Sequence, residues 1–119
     1  MSIIDQMMES KKDHVNYLKD LFAEMTAAGF TDIRIADEDL EPLDVEKDGP
    51  EAVIREMFQL DGGVQLNAAY PQGGKRLAFG MLFILCNDAW ESLADFSYPS
   101  EEVYEKLQAI TGKIEDRYL

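Results

Sequence analysis

One stretch, residues 64–86, places the tightest constraint on the fold. In its first part, VQLNAAY, apolar and polar side chains alternate, as in a β-strand that is wet on one face. A turn follows at residues 71–74. Residues 77–86 are then apolar on both faces, which indicates a central strand. The stretch therefore predicts two neighbouring strands of a sheet.

Three segments have the periodicity of amphipathic helices. The longest, residues 2–28, carries one apolar stripe at three- and four-residue steps and stops before Gly29. A short helix follows residue 49, because proline is favoured at the first helical position. A final helix follows Pro99. The predicted caps or first residues are Ser2, Pro50 and Ser100.

Three more stretches alternate as short strands do: residues 30–36, 43–48 and 89–96, the last after a tight turn at residues 87–88. The element order is then α-β-β-α-β-β-β-α. Hairpin connections favour antiparallel pairing. We predict an α+β fold, with long N- and C-terminal helices packed on one face of a small antiparallel sheet. Residues 1–119 are expected to form a single domain.

The net charge of −13 limits the partners of the chain. Direct binding to nucleic acid is disfavoured, because lysine and arginine must displace the counterions of the phosphates. The longest apolar run, residues 81–86, is far shorter than the ~20 residues of a membrane span, so no membrane contact is expected. The start lacks the pattern of a signal peptide and the single Cys86 suits a reducing compartment, so we predict a cytoplasmic location.

The negative charge is concentrated in residues 37–48, which we name the acidic segment. Seven acids and one lysine give this segment a net charge of −6. In an extended chain, residues two apart lie on the same side at about 6.5 Å, a distance comparable to the step between phosphates. Such a ridge of carboxylates would fit a basic groove built for DNA or RNA. The predicted partner-binding residues are Asp37, Glu38, Asp39, Glu41, Asp44, Glu46 and Asp48.

Two other interpretations of the acidic segment stay open. Spacing alone favours a solvated loop that keeps the protein dissolved, whereas the concentration of the acids in one segment favours a binding surface. Residues 44–55 also approach the EF-hand calcium pattern, with acids at its positions 1, 3 and 5 and a glycine at position 6. Arg55 stands where the pattern needs a bidentate glutamate, so we predict no metal site.

Residues that could carry catalysis are few. His14 is the only histidine and lies beside the apolar stripe of the first helix. Cys86 ends the most apolar strand, where a buried thiol usually acts as a small hydrophobe. Residues 72–76, QGGKR, depart from the phosphate-binding loop at its first glycine and its Ser/Thr, which favours a hairpin turn. We predict a protein that is not an enzyme, with no catalytic residue and no cofactor.

Aromatic residues crowd the last hairpin and the start of the final helix, namely Trp90, Phe96, Tyr98 and Tyr104. Core packing is the favoured interpretation for most of them. Exposure of Trp90 or Tyr98 would instead indicate a contact surface, since aromatic residues are enriched at binding hot spots.

Residues 81–107 resemble the closing hairpin and helix of small phage- or prophage-type proteins. In those proteins an apolar strand and an Asn-containing turn precede a strand ending in x-s-D-[FY]-S and then a helix. The matching residues here are Asn87, Asp95, Phe96 and Ser97. The resemblance implies an origin in a mobile element. Many mobile-element proteins of this size and charge inhibit host or rival enzymes, as anti-CRISPR and antirestriction proteins do, and bacterial immunity proteins have a similar profile.

Two functions are consistent with the sequence. In the first, the protein is a non-enzymatic inhibitor whose acidic segment occupies a basic surface of a nuclease or a nucleic-acid-binding complex, as a nucleic-acid mimic would. In the second, it is a structural or adaptor protein that homodimerises or docks through apolar helix faces or through the strand at residues 64–70. The acids then serve only solubility.

Overall fold

The computed structural model describes residues 2–60, 62–86 and 88–118. The helices are α1 (Ile3–Ser10), α2 (Lys12–Ala27), α3 (Val45–Asp48), α4 (Pro50–Met57) and α5 (Glu101–Glu115). The strands are β1 (Thr31–Ile35), β2 (Gly63–Gln72), β3 (Lys75–Ile84) and β4 (Leu93–Phe96).

The sheet is antiparallel, with its strands in the order β1-β2-β3-β4. At its centre, β2 and β3 pair along ten residues each. The turn between them is Gly73-Gly74, with φ angles of 60° and 76°. Positive φ at both positions suits the tightest hairpin turn and is unfavourable for residues with a Cβ. The hairpin turn predicted for residues 72–76 is confirmed.

The longer helices pack on one face of the sheet. Buried apolar side chains of α2, α4 and α5 form one cluster with the inward side chains of the strands. On β2, for example, Val64 and Leu66 are buried while Gln65 and Asn67 are exposed. The α+β class, with helices on one face of an antiparallel sheet, is therefore confirmed. The opposite sheet face, which carries Gln65 and Asn67, is named here the open face.

The local signals for three helix starts are also confirmed. Ser2 and Asp5 form a reciprocal capping box at the start of α1. Pro50 is the first residue of α4. The Ser100 hydroxyl accepts a hydrogen bond from the amide of Val103 at 3.2 Å and so caps α5.

The prediction of one helix over residues 2–28 was wrong. The helix is interrupted at Lys11, whose backbone leaves helical geometry with φ −112° and ψ 44°. The Lys11 ammonium donates a hydrogen bond to the carbonyl oxygen of Leu85 at 2.7 Å. A contact with the end of β3 thus accompanies the break. No glycine or proline in the sequence indicated a break at this position.

Two of the short strands were also predicted wrongly. Residues 43–48 are not extended: Asp44 makes a single bridge with Arg34 of β1, and α3 begins at the next residue. In residues 89–96, a 3₁₀ turn occupies Ala89–Glu91, and β4 covers only the last four residues. The turn predicted at residues 87–88 involves Asn87, which lies outside the described residues. The sheet therefore has four strands within the described ranges.

The environment of Cys86 differs from the prediction as well. β3 ends at Ile84, and the Cys86 side chain is exposed. Among the helices that the structure describes, none combines the length and apolar character required to cross a lipid bilayer.

Candidate acidic binding surface

The acidic segment connects β1 to α4 and lies along the outer edge of the sheet. The amide of Ile35 in β1 donates to the carbonyl oxygen of Leu43 at 3.0 Å. The bridge between Arg34 and Asp44 adds a second attachment to the same strand. Edge strands expose unpaired backbone groups, and here the acidic segment covers part of that edge.

The first half of the acidic segment is a hydrogen-bonded turn. The amide of Leu40 donates to the carbonyl oxygen of Asp37 at 3.2 Å. The carboxylate of Asp37 accepts from the amide of Asp39 at 3.2 Å. The amide of Glu41 then donates to the Glu56 carboxylate of α4 at 3.1 Å. These contacts fix the backbone and leave the Glu38 side chain exposed.

The second half of the acidic segment is built around Asp44. Its Oδ1 accepts hydrogen bonds from the amides of Glu46 at 2.8 Å and Lys47 at 3.1 Å, which caps α3. The amide of Asp44 in turn donates to Oδ2 of Asp48 at 2.9 Å. The carboxylates of Asp44 and Asp48 therefore fix the backbone at the start of α3.

These contacts correct the predicted spacing of the carboxylates. A turn at residues 37–40 and a helix at residues 45–48 replace the extended chain that the i, i+2 argument required. The seven acids do not form a straight ridge. Asp37, Asp44 and Asp48 bind local backbone amides. The remaining four are exposed and make no side-chain hydrogen bond among the described residues: Glu38, Asp39, Glu41 and Glu46.

Within the described ranges of the chain, the salt bridges do not include any of the seven acids of the acidic segment. The ion pairs of the described chain join Lys19 to Glu51, Arg55 to Asp5, Arg76 to Asp32, Lys113 to Glu24 and Arg117 to Asp20. None of the seven acids of the segment takes part in these pairs. The net charge of −6 therefore faces solvent along one edge of the sheet.

One further residue, Glu56, belongs to this surface although no sequence pattern predicted it. Glu56 projects from α4 and holds the backbone of Glu41, fifteen positions away. Periodicity placed Glu56 correctly on a helix. The contact depends on how the acidic segment folds back on that helix, and no local pattern encodes this.

The other residues considered for chemistry do not assemble into a site. Cys86 lines a shallow groove with Met7 and Leu85, whereas His14 lines a different one with Trp90 and Tyr118. Arg76, from the QGGKR turn, pairs with Asp32 at 2.8 Å. In residues 2–60, 62–86 and 88–118, no group of three or more His, Cys, Asp or Glu side chains is arranged to hold a metal ion.

The acidic segment, with Glu56, is thus the strongest candidate for a binding surface: it is attached to β1 and α4, highly charged and without paired cations. No family model matches the chain, and no similar curated protein or solved structure was found.

Proposed function

We propose that this protein is a non-enzymatic inhibitor that occupies a basic surface of a nucleic-acid-handling protein, such as a nuclease or an effector complex. The observation that carries the proposal is the acidic segment: seven carboxylates attached to the sheet edge, none in an ion pair within the described chain. A basic groove that normally neutralises phosphates offers the complementary charge.

The hydrogen bonds of the segment divide its acids into two groups. Asp37, Asp44 and Asp48 maintain the backbone, so they position the surface. The four exposed acids without side-chain hydrogen bonds are the direct contacts. A fixed cluster of like charges accelerates association with an oppositely charged partner. The association rate decreases as salt screens the charges.

The test compares two variants with equal changes in charge. The first replaces the direct contacts: Glu38→Gln, Asp39→Asn, Glu41→Gln and Glu46→Gln. The control neutralises exposed acids elsewhere: Glu9→Gln, Asp13→Asn, Glu91→Gln and Glu105→Gln. Each protein is immobilised and exposed to a lysate of the source cell, and partners eluted by salt are identified. The rate of association with the purified partner is then measured over a range of salt concentrations.

We expect the first variant to lose the partner and the control to retain it, with the association rate of the wild type decreasing as salt increases. The captured partner is expected to release nucleic acid when the protein binds. Equal retention by both variants would refute the role of the acidic segment. A partner without a basic surface would refute the proposed class of target.

A specific observation also favours the second function, an adaptor that homodimerises through the open face. On this face the side chains of Gln65 and Asn67 reach over Gly80, since a Cβ there would meet Gln65 Nε2 at 3.2 Å and Asn67 Oδ1 at 3.6 Å. Beside them, Leu82 and Ile84 are half-buried. Two such sheets can stack face to face at about 10 Å.

Sedimentation at several protein and salt concentrations tests the adaptor function. A dimer that Leu82→Glu converts to a monomer would support stacking through the open face. A wild-type protein that stays monomeric at every concentration would exclude it.

A further inference from the structure

The sheet edge formed by β4, on the side opposite to the acidic segment, carries a second surface. Tyr98 and Tyr104 are 55% and 39% exposed, and they are two of the three large hydrophobic side chains that the structure describes as exposed. Their ring centroids lie 4.8 Å apart, and Phe96 lies 6.3 Å from Tyr98 and 6.2 Å from Tyr104. Aromatic packing thus continues out of the core to the protein surface.

These rings stand at one end of a groove of about 270 Å³ between β4 and α5. Residues of one helical stripe form its α5 wall, because their spacing of four, three and four positions keeps them on one side: Tyr104, Gln108, Thr111 and Glu115. The stripe is ~16 Å long at 1.5 Å per residue. β4 forms the other wall, so the groove has the length of about five extended residues.

The free edge of β4 is held by one of its own side chains. The amide of Ser97 donates to Gly80 of β3 at 2.9 Å. By the alternation of antiparallel pairing, the amide of Phe96 then points away from β3, where it donates to the Asp95 carboxylate at 2.9 Å. Asp95 therefore occupies a backbone donor that an additional strand would need.

The charge of the groove determines the kind of occupant. Its lining includes two acids, Asp95 and Glu115, and no lysine or arginine. A guanidinium group fits this combination, because it stacks on aromatic rings and forms two parallel hydrogen bonds to a carboxylate. An arginine that binds Asp95 would also release the amide of Phe96 for backbone pairing.

We propose that this groove binds an extended, arginine-containing peptide segment of a partner protein, which adds to the sheet as a strand beside β4. Its arginine side chain contacts Tyr98 and Asp95, and its backbone pairs with Phe96. This surface does not depend on the acidic segment, which lies at the β1 edge of the same sheet.

The probe is the peptide acetyl-Thr-Val-Arg-Val-Thr-amide, and its control carries citrulline, a neutral group of the same shape, in place of arginine. Each peptide is titrated into isotope-labelled protein, and amide chemical shifts are followed by NMR. We expect saturable shifts confined to residues 93–98 and to the α5 stripe, with the citrulline peptide binding at least several-fold more weakly.

Two variants test the contacts against a matched control. Tyr98→Leu and Asp95→Asn should each weaken binding roughly two- to five-fold, whereas Asp39→Asn, which removes the same charge from the acidic segment, should leave the affinity unchanged. Wild-type-like amide spectra establish that each variant is folded.

Three results would overturn the groove proposal: equal binding of the two peptides, shifts spread evenly over the acidic surface, or unchanged affinity in Tyr98→Leu. A failure here leaves the acidic-segment test untouched, because the two residues substituted to weaken peptide binding, Tyr98 and Asp95, are not among the direct contacts of the acidic segment.

Discussion

At the scale of single residues, Asp44 combines a structural role with a charge. Its Oδ1 caps α3 by accepting two backbone hydrogen bonds, and its negative charge adds to the acidic segment. Gly49 directly follows the same segment, with φ 88° and ψ 151°, in a region that is almost restricted to glycine. At Asp44 a substitution can remove the charge and keep the cap, and at Gly49 a substitution can change the backbone strain alone.

Two substitutions separate the capping role of Asp44 from its charge. Asp44→Ala removes the cap and should lower the free energy of unfolding by about 1 kcal/mol, whereas Asp44→Asn should keep most of that stability because asparagine caps equally well. Urea denaturation measures both values. If the two variants were equally destabilised, the charge of Asp44 would matter more than its cap.

Two glycines with free space around them should respond in opposite directions to alanine. A Cβ at Gly49 or at Gly112 would meet no atom within 4 Å. Gly49→Ala should lower the free energy of unfolding by about 1–3 kcal/mol through backbone strain. Gly112→Ala, inside α5, should raise it by about 0.5–1 kcal/mol. Denaturation of the pair checks this, and a shift of the same sign in both would contradict the conformational explanation.

At the scale of elements, the sequence predicted those helices and strands whose determining residues lie within the element itself. The Ser100 cap, Pro50 and the alternation along β2 gave the correct elements, since each signal lies within the element it defines. A contact with the distant Leu85 accompanies the break at Lys11, and the apolar stripe of residues 2–28 does not predict that contact. In residues 43–48, the alternation of Leu43, Asp44 and Val45 fitted a strand as well as a capped helix.

A contact between α1 and α4 should make the stability of the fold depend on pH. The Arg55 guanidinium donates to Asp5 and to the Ser2 hydroxyl. Arg55, followed by the hydrogen bonds of Ser2, lowers the pKa of Asp5 from 3.8 to about 2. Since the folded pKa lies below the unfolded value, this contact contributes its full stability above pH 3.8, and the contribution is lost as the pH falls through about 2.

Arg55→Gln should therefore return the pKa of Asp5 towards 3.8 and remove this part of the acid sensitivity. An NMR titration of the Asp5 carboxyl carbon measures the pKa directly. Lys19→Gln is the control, because it breaks the ion pair with Glu51 on the same helix but leaves Asp5 in place. An Asp5 pKa unaffected by Arg55→Gln would show that Ser2 alone is responsible.

At the scale of the whole molecule, the net charge of −13 opposes compaction. The ion pairs described here lie outside the acidic segment, so they do not relieve its repulsion. The sequence predicted where this charge concentrates, because charge counts need no coordinates. It could not predict the shape of the surface, because Glu56 is placed by a contact with Glu41, fifteen positions away. Local hydrogen bonds also turn the chain at Asp37, where the spacing of the acids had suggested an extended segment.

Salt should stabilise the folded protein as a result. Between about 0.01 M and 1 M NaCl the Debye length falls from ~30 Å to ~3 Å, and we expect the melting temperature to rise by several degrees, equivalent to roughly 1 kcal/mol. Calorimetry measures the change. The variant that neutralises Glu38, Asp39, Glu41 and Glu46 should show a smaller rise, and an identical rise would place the repulsion elsewhere.

The glycine pair that joins β2 and β3 has a consequence for insertions and deletions. Because successive strand residues point to opposite faces, lengthening this turn by one residue would move the buried side chains of a whole strand into solvent, or force a bulge to absorb the error. Residues 73 and 74 can change identity at the expense of some strain, but the number of residues between the strands is fixed. Changes in length are better tolerated where no ladder sets the register, as in residues 98–99.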